Sequence, residues 1–120
     1  MERKRILIVD DEAGIRFLLS EELRSECSVS CCANGKDALE AFSKNQPDLV
    51  ITDLKMPKMD GNELTERIKD INPNMPVIML TATPPAESQA DEILKKSSLM
   101  KKFHSSVKKF LSIPPLPVST

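Results

Sequence analysis

The chain of 120 residues has few aromatic side chains: four Phe, no Trp and no Tyr. Without an aromatic platform on which bases can stack, single-stranded nucleic acid is not an expected ligand. The formal net charge of −1 gives no electrostatic reason to expect DNA or a membrane surface as a partner. The sequence therefore predicts an aliphatic core and no contact of this chain with nucleic acid or membrane.

Long apolar runs are also absent from the sequence. No run approaches the roughly 20 residues that a helix needs to cross a bilayer. The charged N-terminal residues 1–5 lead into only four apolar residues, Ile6–Val9, which are too few for a secretory signal peptide. We therefore expect a cytoplasmic protein.

Cysteine and histidine are too few and too badly spaced for a structural zinc site. Cys27, Cys31 and Cys32 fall close together with no second cysteine pair, and the single histidine, His104, is remote from them. A structural zinc site needs four nitrogen or sulfur ligands. Reduced thiols on or near a strand are the favoured interpretation.

Strand and helix patterns alternate along the first two thirds of the chain. Apolar runs predict strands at residues 5–9, 48–52 and 76–80, with a weaker strand at 28–33. Apolar residues with helical spacing follow the strands at 5–9, 28–33 and 48–52. They lie at 12–25, after Asn34-Gly35 and after Asp60-Gly61. Repeated β-α units predict an α/β fold. We expect a doubly wound, five-stranded parallel sheet of order 2-1-3-4-5 with helices on both faces.

The last third is harder to interpret. A helix is predicted from Pro84, with Ala86, Ala90, Ile93 and Leu94 facing inward. A short fifth strand at Ser97–Met100 would follow, although its residues have poor strand propensity. One long helix running to Leu111 is the alternative.

A final helix is expected to place Phe103, Val107, Phe110 and Leu111 on one side. The proline-rich segment 113–120 cannot continue a helix. We predict one domain over residues 1–112, followed by a disordered tail or the start of a linker.

Polar side chains follow the predicted strands in a pattern that suggests chemistry. Asp10 and Asp11 follow the first strand, Asp53 the third and Thr81 the fourth. In a doubly wound sheet, strands 1 and 3 flank the point where the winding reverses, and ligands bind there. Two carboxylates about 4 Å apart repel by ~4 kcal/mol at an effective dielectric near 20. Either protons or a cation must compensate, and hard oxygen ligands in a cleft favour Mg²⁺.

A positive side chain is expected to complete the site. Lys101 follows the predicted fifth strand and would pair with a phosphoryl group on a carboxylate. The Thr81 hydroxyl would donate a hydrogen bond to a phosphoryl oxygen. An acidic pair, a lone Asp, a hydroxyl and a Lys at successive strand ends form a site for making an acyl phosphate.

Three stretches carry a family resemblance. They are Ile-Leu-Ile-Val-Asp-Asp-Glu at 6–12, Asp-Leu-Val-Ile-Thr-Asp-Leu-Lys-Met-Pro-Lys-Met-Asp-Gly at 48–61 and Pro-Val-Ile-Met-Leu-Thr-Ala at 76–82. Over about residues 4 to 111 the chain resembles the receiver (CheY-like) domain of bacterial two-component response regulators. The resemblance implies a cytoplasmic signalling module that takes a phosphoryl group from a sensor histidine kinase or a histidine phosphotransferase. A homodimer through the face of the fourth helix, fifth strand and fifth helix would also fit.

The resemblance also implies a role for each matching residue. Asp53 would be the phosphoacceptor, and Asp11, Asp53 and the Lys55 backbone carbonyl would bind Mg²⁺, with Asp10 acting mainly through water. Thr81 would move toward the phosphoryl group, and Lys101 would pair with it. The chain would not be an enzyme beyond self-catalysed phosphoryl acceptance and autodephosphorylation.

Departures from the family pattern leave alternatives open. Lys101 is followed by Lys102 where the family usually has Pro, and Ser98 stands where the family usually has an aromatic residue. Lys102 is therefore an alternative to Lys101. An interaction module that works without phosphorylation is a second hypothesis. An aspartate-nucleophile phosphatase is a third hypothesis. Such enzymes have a second acidic residue two positions after the nucleophile, where this chain has Lys55.

Overall fold

The structure, a computed structural model, describes residues 3–96 and 99–111, without the side chains of 99–102 and 104. Its strands are β1 (Arg5–Val9), β2 (Ser28–Cys32), β3 (Leu49–Asp53), β4 (Val77–Thr81) and β5 (Glu92–Lys95). Its helices are α1 (Ala13–Leu23), α2 (Gly35–Lys44), α3 (Gly61–Ile71) and α4 (Leu99–Leu111). The predicted tail at 113–120 lies outside the described residues.

All five strands are parallel and form one sheet in the order β2-β1-β3-β4-β5. The predicted fold class is confirmed. β3 and β4 are buried along their whole length, because each has a strand on either side and helices on both faces. Continuous apolar runs are typical of such central parallel strands.

Two apolar cores lie on opposite faces of this sheet. Alternate residues of β1 point to opposite sides, with Ile6 and Ile8 in one core and Leu7 and Val9 in the other. The first core packs against α1 and α4, and the second against α2 and α3. The prediction of helices on both faces is therefore also confirmed.

Side-chain caps fix where two of the helices begin. The Asn34 side chain accepts a hydrogen bond from the Asp37 backbone N–H at 2.8 Å, at the start of α2. Asp60 accepts from the Glu63 backbone N–H at 2.8 Å, at the start of α3. These caps satisfy backbone donors that have no partner inside a helix. They hold the helix starts at the same edge of the sheet as the strand ends.

The connection between β4 and β5 differs from the prediction. Residues 82–91 contain no helix, so the helix predicted from Pro84 is wrong. Ile93 and Leu94, assigned to that helix, lie in β5 instead. Two of the four residues on the supposed apolar face were alanines, which bury little surface, whereas Ile93 and Leu94 form a compact apolar pair suited to a short strand.

The predicted fifth strand at Ser97–Met100 is also wrong. Leu99 and Met100 lie in α4, while Ser97 and Ser98 are outside the described residues. The final helix itself is confirmed, because Phe103, Val107 and Leu111 are buried in the core on the α1 side. None of the helices in the described part of the chain has the length and apolarity that crossing a bilayer requires.

Candidate functional site

Two aspartates from neighbouring strands are buried at one edge of the sheet. Asp10 directly follows β1 and is 1% exposed, and Asp53 ends β3 and is 6% exposed. β1 and β3 pair in parallel with Val9 opposite Thr52, so both side chains come from the carboxyl ends of adjacent strands. Asp11 is exposed beside them. The structure thus brings Asp10 and Asp53 together, as the sequence predicted.

Backbone contacts hold Asp10 at the start of α1. Its Oδ1 accepts a hydrogen bond from the Glu12 N–H at 2.9 Å, and its carbonyl accepts from Arg16 Nη1 at 2.7 Å. Its own N–H donates to the Cys32 carbonyl at 3.1 Å, which ties the residue to β2. The second carboxylate oxygen, Oδ2, is buried and has no hydrogen-bond partner among the described residues. This oxygen makes an ion pair with Lys96 Nζ at 3.4 Å, so it is paired by charge but accepts no hydrogen bond in the described structure.

The ammonium group of Lys96 contacts both carboxylates. Its Nζ lies 3.4 Å from Asp10 Oδ2 and 3.3 Å from Asp53 Oδ2, and its side chain is 21% exposed. The contact to Asp10 is an ion pair without hydrogen-bond geometry. Glu12 Oε1 also lies 3.4 Å from the same nitrogen. One ammonium group thus contacts carboxylates from three chain positions.

Burial raises the pKa of both aspartates. For Asp10, desolvation is the main cause and the neighbouring Asp53 charge adds to it, while the hydrogen bond from Glu12 and the Lys96 charge act against it. For Asp53, desolvation again dominates, and Lys96 and the Leu54 N–H lower the pKa in opposition. The pKa of Lys96 is raised, although its own burial lowers it, because the charges of Asp10 and Asp53 favour the ammonium form. The pocket therefore favours added positive charge.

Thr81 closes the same edge from the next strand. It ends β4, which pairs with β3, and it is buried. Its hydroxyl oxygen accepts a hydrogen bond from the Thr83 N–H at 3.1 Å, at the start of the β4–β5 connection. A change in the hydrogen-bond partner of this hydroxyl would therefore remove a contact at the start of that connection.

Close backbone packing fixes the loop after Asp53. The Gly61 N–H donates to the Leu54 carbonyl at 2.7 Å. A Cβ atom on Gly61 would lie only 2.1 Å from the Asp53 carbonyl oxygen. No side chain fits at this contact, so glycine is required for α3 to begin against the end of β3.

The acidic residues suit a divalent cation. Asp10, Asp11 and Glu12 each offer a carboxylate oxygen, and these oxygens lie within 4.8 Å of one another. Hard oxygen donors, one of them a buried oxygen that accepts no hydrogen bond in the described structure, match the preference of Mg²⁺ for carboxylates and water. The residues present therefore fit a magnesium ion.

The structure adds two residues that sequence reasoning missed. Glu12 belongs to the acidic group, and Lys96 takes the place that Lys101 was given. Lys101 lies inside α4, so the premise that it follows the fifth strand is wrong. β5 ends at Lys95, and Lys96 comes next. The apolar pair Ile93-Leu94 just before two lysines was the sequence signal for this placement.

A scan against family models matches residues 6–108 to the response regulator receiver domain. This match covers most of the chain and includes every residue of the pocket. The chain belongs to the response regulator receiver family.

Relatives and solved structures agree with this assignment. The receiver domain is 47% identical over 83 residues to sporulation initiation phosphotransferase F of Bacillus subtilis, covering 68% of this chain and 67% of that protein. It is 38% identical over 84 residues to the DNA-binding transcriptional regulator NtrC of Escherichia coli, covering 68% of this chain but only 18% of NtrC. The chain thus spans a small part of some relatives.

Among solved structures, the receiver domain resembles response regulator protein TrrA of Thermotoga maritima in complex with Mg(2+)-BeF. The TM-score is 0.82 at 39% identity, covering 89% of this chain and 98% of that one. Receiver domains of two-component systems bind Mg²⁺ at an acidic pocket and interact with histidine kinases or phosphotransferases. This chain has an acidic group at Asp10, Asp11 and Glu12.

Proposed function

We propose that Asp53 is the phosphoacceptor of this receiver domain. It would take the phosphoryl group from a phosphohistidine on a sensor histidine kinase or a histidine phosphotransferase. A carboxylate oxygen of Asp53 attacks phosphorus, the nitrogen–phosphorus bond breaks, and its electron pair stays on the histidine nitrogen. The observation that supports this role is a buried pocket in which Lys96 Nζ lies 3.3 Å from Asp53 Oδ2 and 3.4 Å from Asp10 Oδ2.

Lys96, rather than Lys101 or Lys102, is our proposal for the lysine that pairs with the phosphoryl group. Its Nζ already lies 3.3 Å from Asp53 Oδ2. A phosphoryl group on Asp53 would place new anionic oxygens near the same ammonium. Thr81, at the end of the adjacent strand, would donate a hydrogen bond from its hydroxyl group to a phosphoryl oxygen. The hydroxyl is free to do so because it acts only as an acceptor in its contact with Thr83.

The candidate ligands for Mg²⁺ remain Asp10, Asp11, Asp53 and the Lys55 backbone carbonyl. The geometry adds Glu12 to this set as a neighbouring acceptor. When bound, the ion would supply positive charge that screens the incoming phosphoryl oxygens from the carboxylates. Asp10 would contribute the oxygen that has no hydrogen-bond partner in the described structure. Autodephosphorylation would use the same pocket.

Incubation with phosphoramidate or acetyl phosphate plus Mg²⁺ tests this function. Intact mass spectrometry should show a gain of one phosphate on the wild type and none on Asp53→Asn. The Asp53→Asn chain is the matched control because Asn keeps the size of the side chain and removes the nucleophilic carboxylate. Equal gain on both chains, or no gain on the wild type, would contradict the proposal.

The interaction module that works without phosphorylation is not favoured, because the family match and the assembled pocket support the phosphoacceptor role. A homodimer stays a proposal, and its surface would be formed by β5 and α4 without a helix between β4 and β5. Sedimentation with and without beryllofluoride tests it. We also propose a cytoplasmic location, in keeping with the free thiols of Cys27, Cys31 and Cys32.

A further inference from the structure

The connection between β4 and β5 is unusually short. Residues 82–91 join two adjacent parallel strands without a helix. Such crossovers usually need a dozen or more residues and most often contain a helix. β5 itself has only four residues and, in the described sheet, pairs with β4 alone. Few contacts along the strand therefore fix its register.

Asp91, the last residue of the connection, is bound at several points to the start of β4. Its N–H donates to the Val77 carbonyl at 2.8 Å, and its Oδ2 accepts from the Val77 N–H at 2.8 Å. The same oxygen lies 2.7 Å from Lys69 Nζ on α3. Lys69 Nζ also donates to the Met75 carbonyl at 2.7 Å. We call this group (Lys69, Asp91 and the backbone of Met75 and Val77) the Asp91 clasp.

The clasp is sheltered on the side of the lysine. The Lys69 side chain is 13% exposed and that of Asp91 is 36% exposed. Asp91 makes two hydrogen bonds with Val77, one through its backbone N–H and one through its side-chain Oδ2, and together they form a closed ring between Asp91 and the first residue of β4. This ring defines which residue of β5 faces which residue of β4, from Glu92 opposite Ile78 to Lys95 opposite Thr81.

Register matters here because Lys96 directly follows the strand. A slip of one residue would move Lys96 by about 3.3 Å along the sheet and turn its side chain to the other face. The ammonium would then leave Asp53 and Asp10, and the side chain of another residue would face the pocket.

We propose that the Asp91 clasp positions Lys96 for phosphoryl acceptance at Asp53. Lys69 and Asp91 touch no reacting atom, so they are positioning residues that act through Lys96. This inference rests on the proposed function, because it assumes that Lys96 pairs with the phosphoryl group. It assigns to Asp91 and Lys69 a role in rate as well as in stability.

A double-mutant cycle between Asp91 and Lys96 separates these two roles. The phosphorylation rate with phosphoramidate and Mg²⁺ is measured for the wild type, Asp91→Ala, Lys96→Ala and the double variant. Misplacement of a reacting group by about 1 Å can cost up to 100-fold in rate, so we expect Asp91→Ala to be about 10- to 100-fold slower than the wild type. In the Lys96→Ala background, Asp91→Ala should change the rate by less than about twofold, because the residue through which it acts is already gone.

Two variants serve as controls. Lys109→Met removes another ion pair of β5, in which Lys109 Nζ lies 3.2 Å from Glu92 Oε2, and it should phosphorylate at the wild-type rate. Asp91→Asn keeps a side-chain acceptor for the Val77 N–H and should fall between the wild type and Asp91→Ala. If Asp91→Ala does not fold by circular dichroism, Lys69→Met replaces it in the cycle, since it leaves both hydrogen bonds between Asp91 and Val77 in place.

The outcomes distinguish the two levels of the hypothesis. A wild-type chain that takes up no phosphate, or an Asp53→Asn chain that takes it up equally, overturns the proposed function and this inference with it. A phosphorylated wild type whose clasp variants react as fast as Lys109→Met overturns the inference alone. Equal slowing by Asp91→Ala in the presence and absence of Lys96 does the same, because it shows a general structural defect.

Discussion

Replacing Lys96 with Met would remove the ammonium group while retaining much of the apolar side chain. In the wild type this group lies 3.3 Å from Asp53 Oδ2 and 3.4 Å from Asp10 Oδ2. Both carboxylates are buried in the wild type, where the ammonium group lies beside them. In the variant, the repulsion between the carboxylates of Asp10 and Asp53 is no longer compensated by the ammonium group. The loss of stability therefore measures the compensation that Lys96 provides.

The distances set the size of the effect. Because both oxygens lie 3.3–3.4 Å from one nitrogen, they are at most about 6.7 Å apart. Each contact of the ammonium with a carboxylate oxygen at 3.3–3.4 Å corresponds to an attraction of about 5 kcal/mol at an effective dielectric near 20. The variant loses this attraction, while the repulsion between the two carboxylates remains. Lys96 also loses its own desolvation cost when it is removed, which offsets part of the lost attraction. We expect the free energy of unfolding to fall by about 2–3 kcal/mol at pH 7 without Mg²⁺.

The effect should depend on pH in a defined direction. Asp10 and Asp53 have raised pKa values when folded, so their ionisation opposes folding at any pH above the unfolded value of about 3.9. Lys96 lowers the pKa of both carboxyls, and its loss would raise both further. The difference between wild type and variant should grow as the pH rises through the folded-state pKa values of the two carboxyls, and it should vanish at low pH once both carboxyls are protonated.

Urea unfolding at pH 7 and at the lowest pH where both chains still fold would measure this difference, with and without Mg²⁺. Lys95→Met is the matched control, because Lys95 is exposed on the same strand. Lys101→Met tests the earlier assignment directly. If Lys96→Met is as stable as Lys95→Met at pH 7 in the absence of metal, then Lys96 does not compensate the two aspartates and the electrostatic reasoning fails.

Three further substitutions test how the pocket is held. Gly61→Ala should destabilise the chain by about 1–3 kcal/mol, because its Cβ would lie 2.1 Å from the Asp53 carbonyl oxygen; an unchanged urea midpoint would contradict this packing. Asn34→Ala should cost about 1 kcal/mol through loss of the α2 cap, seen as a lower thermal midpoint, and Asn34→Asp should restore most of it. Phe103→Ala should cost about 3–5 kcal/mol, because Phe103 is buried between α4 and the sheet; a loss below 1 kcal/mol would place this helix elsewhere.

The sequence predicted the central strands and the acidic side of the pocket well. The apolar runs that contain β1, β3 and β4 are continuous, as expected for parallel strands buried on both faces. Once those strands were placed, the fold alone brought Asp10 and Asp53 together. Residues at the ends of such strands can be assigned to a common site because the carboxyl ends of parallel strands share one edge.

The segment after Thr81 could not be predicted in the same way. Its strand has four residues and few apolar side chains, so periodicity carries little information there. The feature that fixes the strand is a set of tertiary contacts between Asp91, Lys69 and Val77. Contacts between residues so distant in sequence leave no local pattern, and the prediction that Lys101 follows the fifth strand was wrong for that reason.

The position of Lys96 also has a consequence for the proposed phosphorylation of Asp53. Before phosphorylation the ammonium faces single negative charges on Asp10 and Asp53. A phosphoryl group on a side chain carries a charge of about −1.5 to −2 at pH 7, so the attraction to Lys96 is stronger after phosphoryl transfer than before it. A contact that is stronger in the product than in the reactant shifts the equilibrium of acceptance toward the phosphorylated form. If Asp53 accepts the phosphoryl group as we propose, the lysine that offsets the cost of the buried carboxylates would also stabilise the acyl phosphate. Lys96→Met should then lower the extent of phosphorylation at equilibrium as well as the stability of the unphosphorylated chain.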